Sequence, residues 1–366
     1  MANEVTDREE AVEISVVIPA YNAEATLERA AASVLSQTFK ALELIIVDDG
    51  SFDKTAEIAD ELAKRDSRVH VLHKKNGGVS AARNDGIRRS RGQWLVTLDD
   101  DDYLDQKMLE RLYTAAVSGN AQLALCGIRL IYPDRSPAVF RPETEVTADR
   151  ETFLNVLFTD LYDAHLISTH SNKLYSLPVL KQYGIQYAES LSINEDLLFC
   201  LQYIRCCESI AVIRGVYMNY VQHGVGESLI TTFSEAGLWS CFPVLKAYDA
   251  LFDSAQMEDE PVNAMNNRMI MHICSFLGLM YYRSDFSREK ERSIVCELCA
   301  REEFQRLLRQ TSPQGLKAKA ACFLLRHRMS AAYDALCRLL YLGKRRRERR
   351  TGMAKMPGAN NMETEK

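Results

Sequence analysis

No stretch of this 366-residue chain is a long hydrophobic run, although 47% of its residues are hydrophobic. A transmembrane helix requires roughly 18 to 20 consecutive apolar residues, so the chain does not embed itself in a bilayer. The apolar residues are interleaved with polar ones and suit a folded core, with length for one large domain plus a smaller one. Met1 to Glu13 is acidic and polar and lacks the basic patch and apolar centre of a secretory leader. There is no Gly-x-x-x-x-Gly-Lys-Ser/Thr and no Gly-x-Gly-x-x-Gly after the first strand, which argues against a P-loop or a dinucleotide fold. Of ten cysteines only Cys296 and Cys299 form a Cys-x-x-Cys, with no second pair and no histidine at zinc-finger spacing. They read as helix packing rather than metal ligands. Cys126, Cys200 and Cys274 fall in apolar stretches and read as buried thiols of a reducing compartment, the cytoplasm. A formal charge of -5 gives no reason to expect nucleic acid as a partner.

What the chain has is acid at strand ends. Asp99 to Asp102 directly follow the apolar run Trp94 to Leu98, and Asp48-Asp49 directly follow Leu44 to Val47. In an open α/β sheet the carboxyl ends of the strands form the crevice where ligands bind, so both clusters face one pocket. Crowded carboxylates repel unless a hard cation or hydrogen-bond donors balance them. A divalent metal with a polar nucleotide is the natural occupant; a solvated acidic turn is the plainer alternative.

The first half alternates short β-rich runs with helical patterns, the signature of a sheet covered by helices. Strands are expected at Ile14–Ile18, Leu42–Val47, Val69–Leu72, Trp94–Leu98 and Gln122–Gly127. Helices are expected over Glu24–Gln37, over Lys54–Arg65 with Asp53 as cap, over Val79–Arg89, and from Asp105 to near Gly119. Beyond Asp149 the texture is helical, apart from strand-like Ile210–Ile213 and Val216–Val221, and Phe233–Leu342 is helical almost throughout.

Val16-Val17-Ile18-Pro19-Ala20-Tyr21-Asn22, Ser36-Gln37-Thr38, Val47-Asp48-Asp49-Gly50-Ser51, Ala82-Arg83-Asn84 and Leu98-Asp99-Asp100-Asp101-Asp102 occur in the order seen in glycosyltransferase family 2, which the chain resembles over about residues 12 to 230. Asn172-Lys173-Leu174-Tyr175 and Asn194-Glu195-Asp196 extend the resemblance. It implies the GT-A fold, a Rossmann-like mixed sheet covered by helices, with a nucleotide-diphosphate sugar donor, a divalent metal and inversion at the anomeric carbon. The expected organisation is a flexible 1–12, a GT-A domain over 13–230, a helical C-terminal extension over 231–343, and a basic run and disordered tail over 344–366.

Each motif then has a physical task. Pro19, Ala20, Tyr21 and Asn22 lie at the crevice lip, where the Tyr21 ring can lie against a flat base or pack into the core. Asp49 can accept the imide N–H of a uracil, which favours a UDP-linked donor, or cap the following turn. Arg83 has a fork suited to a diphosphate or a base edge, and Asn84 joins the donor-binding set beside it. In extended chain Asp99 and Asp101 share one face, as an Asp-x-Asp metal site requires. Asp101 is read as the direct ligand of Mn²⁺ or Mg²⁺, Asp99 as a second or water-mediated ligand, and Asp100, where the family more often has a small residue, as a ribose contact. Asp196 opens a helix at the place of the family's general base. Lys173, Glu195 and His223 are candidates for phosphate, acceptor or metal contacts. Neither Trp94 nor Trp239 follows an arginine, so the Gln-x-x-Arg-Trp motif of processive synthases is missing and one sugar per encounter is expected. The expected acceptor is a glycan or lipid-linked saccharide in cell-surface polysaccharide assembly. A sugar nucleotidyltransferase is the first rival, though it would carry a glycine-rich basic loop where Pro19-Ala20-Tyr21-Asn22 stands. A non-catalytic nucleotide-sugar-binding scaffold is the second.

Leu316 to Leu342 is basic and amphipathic and leads into Lys344-Arg345-Arg346-Arg347-Glu348-Arg349-Arg350. It reads either as a helix lying on an anionic membrane surface, at the inner face, or as a packing helix with a solvated basic end.

Overall fold

The computed structural model describes residues 11–222, 233–255, 257–283 and 286–351, with the side chains of 283 and 342–351 excepted. Residues 1–10 of the expected flexible 1–12, and the tail from 352, lie outside the described residues. So do the side chains of the basic run.

The chain divides into two compact units. The first comprises Met1–Leu191, Glu195–Gln222 and Asp253–Gln256, and the second Ser192–Asn194, His223–Phe252 and Met257–Lys366. The first is built on one ten-stranded mixed sheet. Its strands are β1 Ile14–Ala20, β2 Leu42–Asp48, β3 Val69–His73, β4 Trp94–Thr97, β5 Tyr103–Leu104, β6 Leu123–Ile131, β7 Ala138–Phe140, β8 Val146–Asp149, β9 Lys173–Ser176 and β10 Ser209–Val221. The order is β3-β2-β1-β4-β9-β6-β10-β5, with β7 on β6 and β8 on β10. β1 and β2 are buried at every position, as parallel strands covered on both faces must be.

Helices α1 Leu27–Leu35, α2 Thr55–Arg65, α3 Val79–Arg89 and α4 Met108–Ser118 connect the early strands. A single turn α5 Arg150–Thr152, a π-helical segment Phe153–Leu157, α6 Phe158–Asp163, α7 Leu177–Tyr183 and α8 Glu195–Cys206 follow. α3 sits close on the sheet because Gly86 has no side chain: a Cβ there would meet Val17 Cγ1 at 2.2 Å. That contact seats the polar face of α3, with Arg83 and Asn84, at the carboxyl edge of β1.

The structure departs from the sequence expectation in several places. The two strand-like segments after residue 209 are one strand, β10, whose register against β6 shifts between Val212 and Val216 and again before Met218. The Lys173-Leu174-Tyr175 motif is itself a strand, β9, inserted antiparallel between β4 and β6. The turns at the starts of α2 and α4 bond to Asp53 and Asp105, but each helix begins two or three residues later than its aspartate. The second unit carries α9 Glu235–Asp253, α10 Asp259–Arg283, α11 Arg288–Ala300, α12 Glu302–Gln310, α13 Leu316–Arg326 and α14 Ser330–Thr351. The helix expected over Leu316–Leu342 is therefore two, broken where Arg328 takes a φ of 54°.

Candidate active site

β1 is paired in parallel with β2 and with β4, so their carboxyl ends share one edge of the sheet. Loops leave that edge after Ala20, Asp48 and Leu98. Asn22, at a φ of 54°, ties the first two loops together: its Oδ1 accepts the Phe52 N–H at 3.0 Å and its own N–H donates to Ser51 Oγ at 3.0 Å. Asp48 accepts the Ser51 N–H at 3.0 Å and pairs with His73 Nδ1 at 2.9 Å. Burial opposes its charge, but Ser51 and His73 prevail and hold it below the usual carboxylate range. Asp49 accepts the N–H groups of Gly77 and Gly78 at 2.9 and 2.8 Å, with Lys74 Nζ 3.2 Å away. Gly78 stands at a φ of 90°, which starts α3 in a conformation that a side chain would strain.

The four aspartates form a turn rather than an extended run, because the Asp102 N–H donates to the Asp99 carbonyl at 3.2 Å. The expected alternation of faces is corrected accordingly. Asp100 Oδ2 accepts the Tyr21 N–H at 3.2 Å, the Asp101 carbonyl accepts from Arg29, and buried Asp102 accepts the Val221 N–H at 2.8 Å. Burial pushes the Asp100 carboxyl up to about 7, over the help of the Tyr21 N–H, and the charges of Asp101 and Asp99 add to the rise. Burial beside Asp99 and Asp101 likewise drives Asp102 well above the carboxylate range. The charges of Arg83 near Asp100 and of Arg29 near Asp102 offset only part of this rise.

The densest charge lies beside them. Buried Arg83 donates through Nη2 to Asp99 Oδ1 at 2.7 Å and through Nη1 to Asp196 Oδ1 at 2.8 Å and Glu195 Oε1 at 3.4 Å. Its guanidinium carbon is 5.0 Å from the centre of the Tyr187 ring. His170, also buried, places Nδ1 2.7 Å from Asp196 Oδ1 and Nε2 3.6 Å from Asp99 Oδ1. Both nitrogens lie at ion-pair distance without hydrogen-bond alignment, and Arg83 Nε is likewise unbonded. Two cations thus bridge Asp99, at the end of β4, and Asp196, in the first turn of α8. Burial works against the imidazolium, yet Asp196 and Asp99 raise His170 to about 9. Burial also disfavours the charged forms of Asp99 and Asp196, and Arg83 and His170 overcome it and hold both low. Glu195 moves the other way, raised by burial and by the adjacent Asp196 charge. The side chains of Asp99 and Asp196 remain 25% and 32% exposed, which leaves their outer oxygens accessible.

A cleft of about 460 Å³ opens over this edge. Pro19, Ala20, Tyr21, Asp49, Arg83, Asp99, Asp100 and Asp101 line it, joined by Asn76, Gly78, Val79, Ala82 and Tyr220. Asn22, Asn84 and Lys173 have other work. Asn22 bonds the neighbouring loop, as above. Asn84 is buried, donating to the Tyr187 carbonyl at 2.9 Å and Glu189 Oε1 at 3.1 Å and accepting the Tyr187 N–H at 2.8 Å. Lys173 is buried at the start of β9 and donates to the carbonyls of Leu166, Ile167 and Thr169 and to Asn172 Oδ1. All three make these bonds within the protein, and burial lowers the Lys173 ammonium from its ordinary value. Asn194, with a φ of 67°, donates through Nδ2 to Ser240 Oγ at 2.8 Å. His223 lies outside the described residues. Sequence reasoning missed His170, three residues before the Lys173 motif. A single histidine in a polar stretch carries no spacing signal.

Among the described residues no group of three or more His, Cys, Asp or Glu side chains is placed to hold a metal ion. Asp99, Asp100 and Asp101 nonetheless line one cleft, and carboxylates are the hard oxygen donors such a cation takes. Mg²⁺ and Mn²⁺ commonly take one or two protein carboxylates and complete their shell with phosphate oxygens and water.

Residues 15–184 match the family model described as Glycosyl transferase family 2. The glycosyltransferase EpsJ of Bacillus subtilis (strain 168) is 33% identical over 209 residues, covering 56% of this chain and 60% of that protein. EpsH of the same organism is 25% identical over 319 residues, covering 85% and 90%. Among solved structures, S. aureus TarS 1–349 in complex with UDP superposes with a TM-score of 0.63 over 93% of this chain and 92% of that one, at 17% identity. At that identity the likeness concerns the fold, a GT-A sheet with a helical region after it.

Proposed function

Residues 15–184 match the family 2 glycosyltransferase model, and on that premise we propose that the chain is a glycosyltransferase that moves one sugar, with inversion and with a divalent metal, from a UDP-linked donor to a hydroxyl of a glycan or lipid-linked acceptor. The observation that carries this reading is the pair of cation bridges, Arg83 and His170, joining Asp99 to Asp196 beside the cleft. It sets a donor-facing carboxylate and a base-type carboxylate on either side of one guanidinium. The UDP reading is supported by Asp49 in the cleft wall and, by analogy, by the UDP held in TarS.

Asp101, with Asp99, would hold Mn²⁺ or Mg²⁺, whose chemistry is to neutralise the departing nucleoside diphosphate. Arg83 presents its fork toward the same charge, and Tyr21 at the lip offers a face to the base. Asp196 takes the proton of the acceptor hydroxyl as its oxygen bonds the anomeric carbon and the bond to the diphosphate breaks. Arg83 and His170 keep Asp196 a weak base. A donor phosphate that draws on Arg83 raises its basicity when the sugar is in place. The acceptor side belongs to cell-surface polysaccharide assembly at the inner face of a membrane, by a peripheral enzyme; no described helix is long and apolar enough to cross a bilayer.

A donor-hydrolysis screen across UDP-, GDP- and TDP-sugars, with Mn²⁺ and with chelator, tests the reading. Turnover of a UDP-sugar that chelator abolishes is expected. Turnover confined to another nucleotide would overturn the uridine assignment, and full turnover in chelator the metal.

A further inference from the structure

α13 is an outer helix with two apolar sides. Cys322 and Leu325 are buried and define the face packed into the second unit. At 3.6 residues per turn, Leu316, Ala320 and Phe323 fall within one narrow arc on the opposite side. All three are exposed, Leu316 at 87% and Phe323 at 57%. Lys317 borders that arc on one flank and Lys319 on the other, both exposed. A surface helix that serves only the core carries polar residues opposite its buried stripe. This one carries a second apolar stripe flanked by lysines, the pattern of a helix lying in a membrane interface. Beside it, a groove of about 390 Å³ is lined by Lys319 and Phe323 with the hydroxyl residues Thr311 and Ser312. α14 of the same unit exposes Leu339 at 79%, and its sequence continues through the basic run Lys344 to Arg350.

We infer that the outward face of α13 is a docking surface for an anionic phospholipid bilayer, with Leu316 and Phe323 entering the acyl boundary and Lys317 and Lys319 meeting lipid phosphates. Charge complementarity selects this occupant: the chain is acidic overall at -5, yet the exposed apolar stripe is bordered by cations. The inference rests on the peripheral placement proposed above and names its surface.

The test is flotation of the full chain with vesicles of phosphatidylcholine alone or mixed with phosphatidylglycerol, in low and high salt, without donor or acceptor. Recovery with the anionic vesicles only, falling with salt, is expected. Lys317→Gln with Lys319→Gln should weaken binding about twenty-fivefold, at about fivefold per basic residue lost. Leu316→Ser with Phe323→Ser should weaken it at least about tenfold. Both variants alter exposed positions, so thermal melting should be unchanged; if the serine pair melts early, the glutamine pair decides. No flotation, equal flotation with both vesicle types, or wild-type binding by the variants overturns the inference, the first pointing to a protein partner instead. Calorimetry with UDP on the same samples reports the donor site separately, so failure here leaves that reading intact.

Discussion

Asn84 uses both ends of its amide on the segment Tyr187–Glu189, and that segment carries the ring that lies under Arg83. Asn84→Ala therefore leaves a buried N–H and a buried carbonyl without partners, a loss of about 1–3 kcal/mol. Urea denaturation should show that loss, while UDP affinity of the folded variant stays within about twofold of wild type. Unchanged stability with lost UDP binding would return Asn84 to the donor site. The grouping of Arg83, Asp99 and Asp196 was legible through the motifs that carry them, Ala82-Arg83-Asn84, Leu98-Asp99 and Asn194-Glu195-Asp196. The surroundings of Lys173 were not legible, because its ammonium satisfies backbone carbonyls that only the folded loop brings within reach. His170 acquires its meaning from two aspartates far from it in sequence, which no local pattern encodes.

At the scale of elements, the edge of the sheet opposite the cleft depends on Glu43 of β2. Its buried carboxylate accepts from Ser15 Oγ at 2.6 Å, the Arg91 N–H at 2.8 Å and Arg91 Nε at 2.9 Å. Burial raises its affinity for a proton, but Ser15 and Arg91 outweigh burial and hold it below the ordinary glutamate value. A carboxyl depressed in the folded state stabilises the fold above its unfolded pKa of about 4.3, and that contribution disappears as pH falls through the lower folded value. Denaturation midpoints from pH 7 down to 3 should therefore fall less steeply for Glu43→Gln than for wild type. Equal slopes would remove Glu43 from the acid response. The elements easiest to read were those with clear periodicity: α3 runs from Val79 to Arg89 as expected, and α2 differs by one residue. β9 was not legible, because a buried lysine begins it and its pairing partners are brought beside it only by the sheet. β5, β7 and β8 are two to four residues long, too short for alternation to register. The bulges of β10 broke one strand into two apparent ones.

For the molecule as a whole, the likeness to family 2 and the mixed sheet followed from short motifs kept in order, each set at a strand end or a helix start. The register of the acidic turn did not follow, since a turn closed from Asp102 to Asp99 and an extended run share one sequence. The account's central claim is that carboxylates from the end of β4 and the start of α8 serve one nucleotide-sugar site in different roles. Asp196→Asn tests it most directly, measured for donor affinity by calorimetry and for turnover of the sugar nucleotide chosen by the screen. Affinity within about tenfold of wild type, with turnover reduced by roughly 10² to 10⁴, is the predicted result. Full turnover in the variant would contradict it.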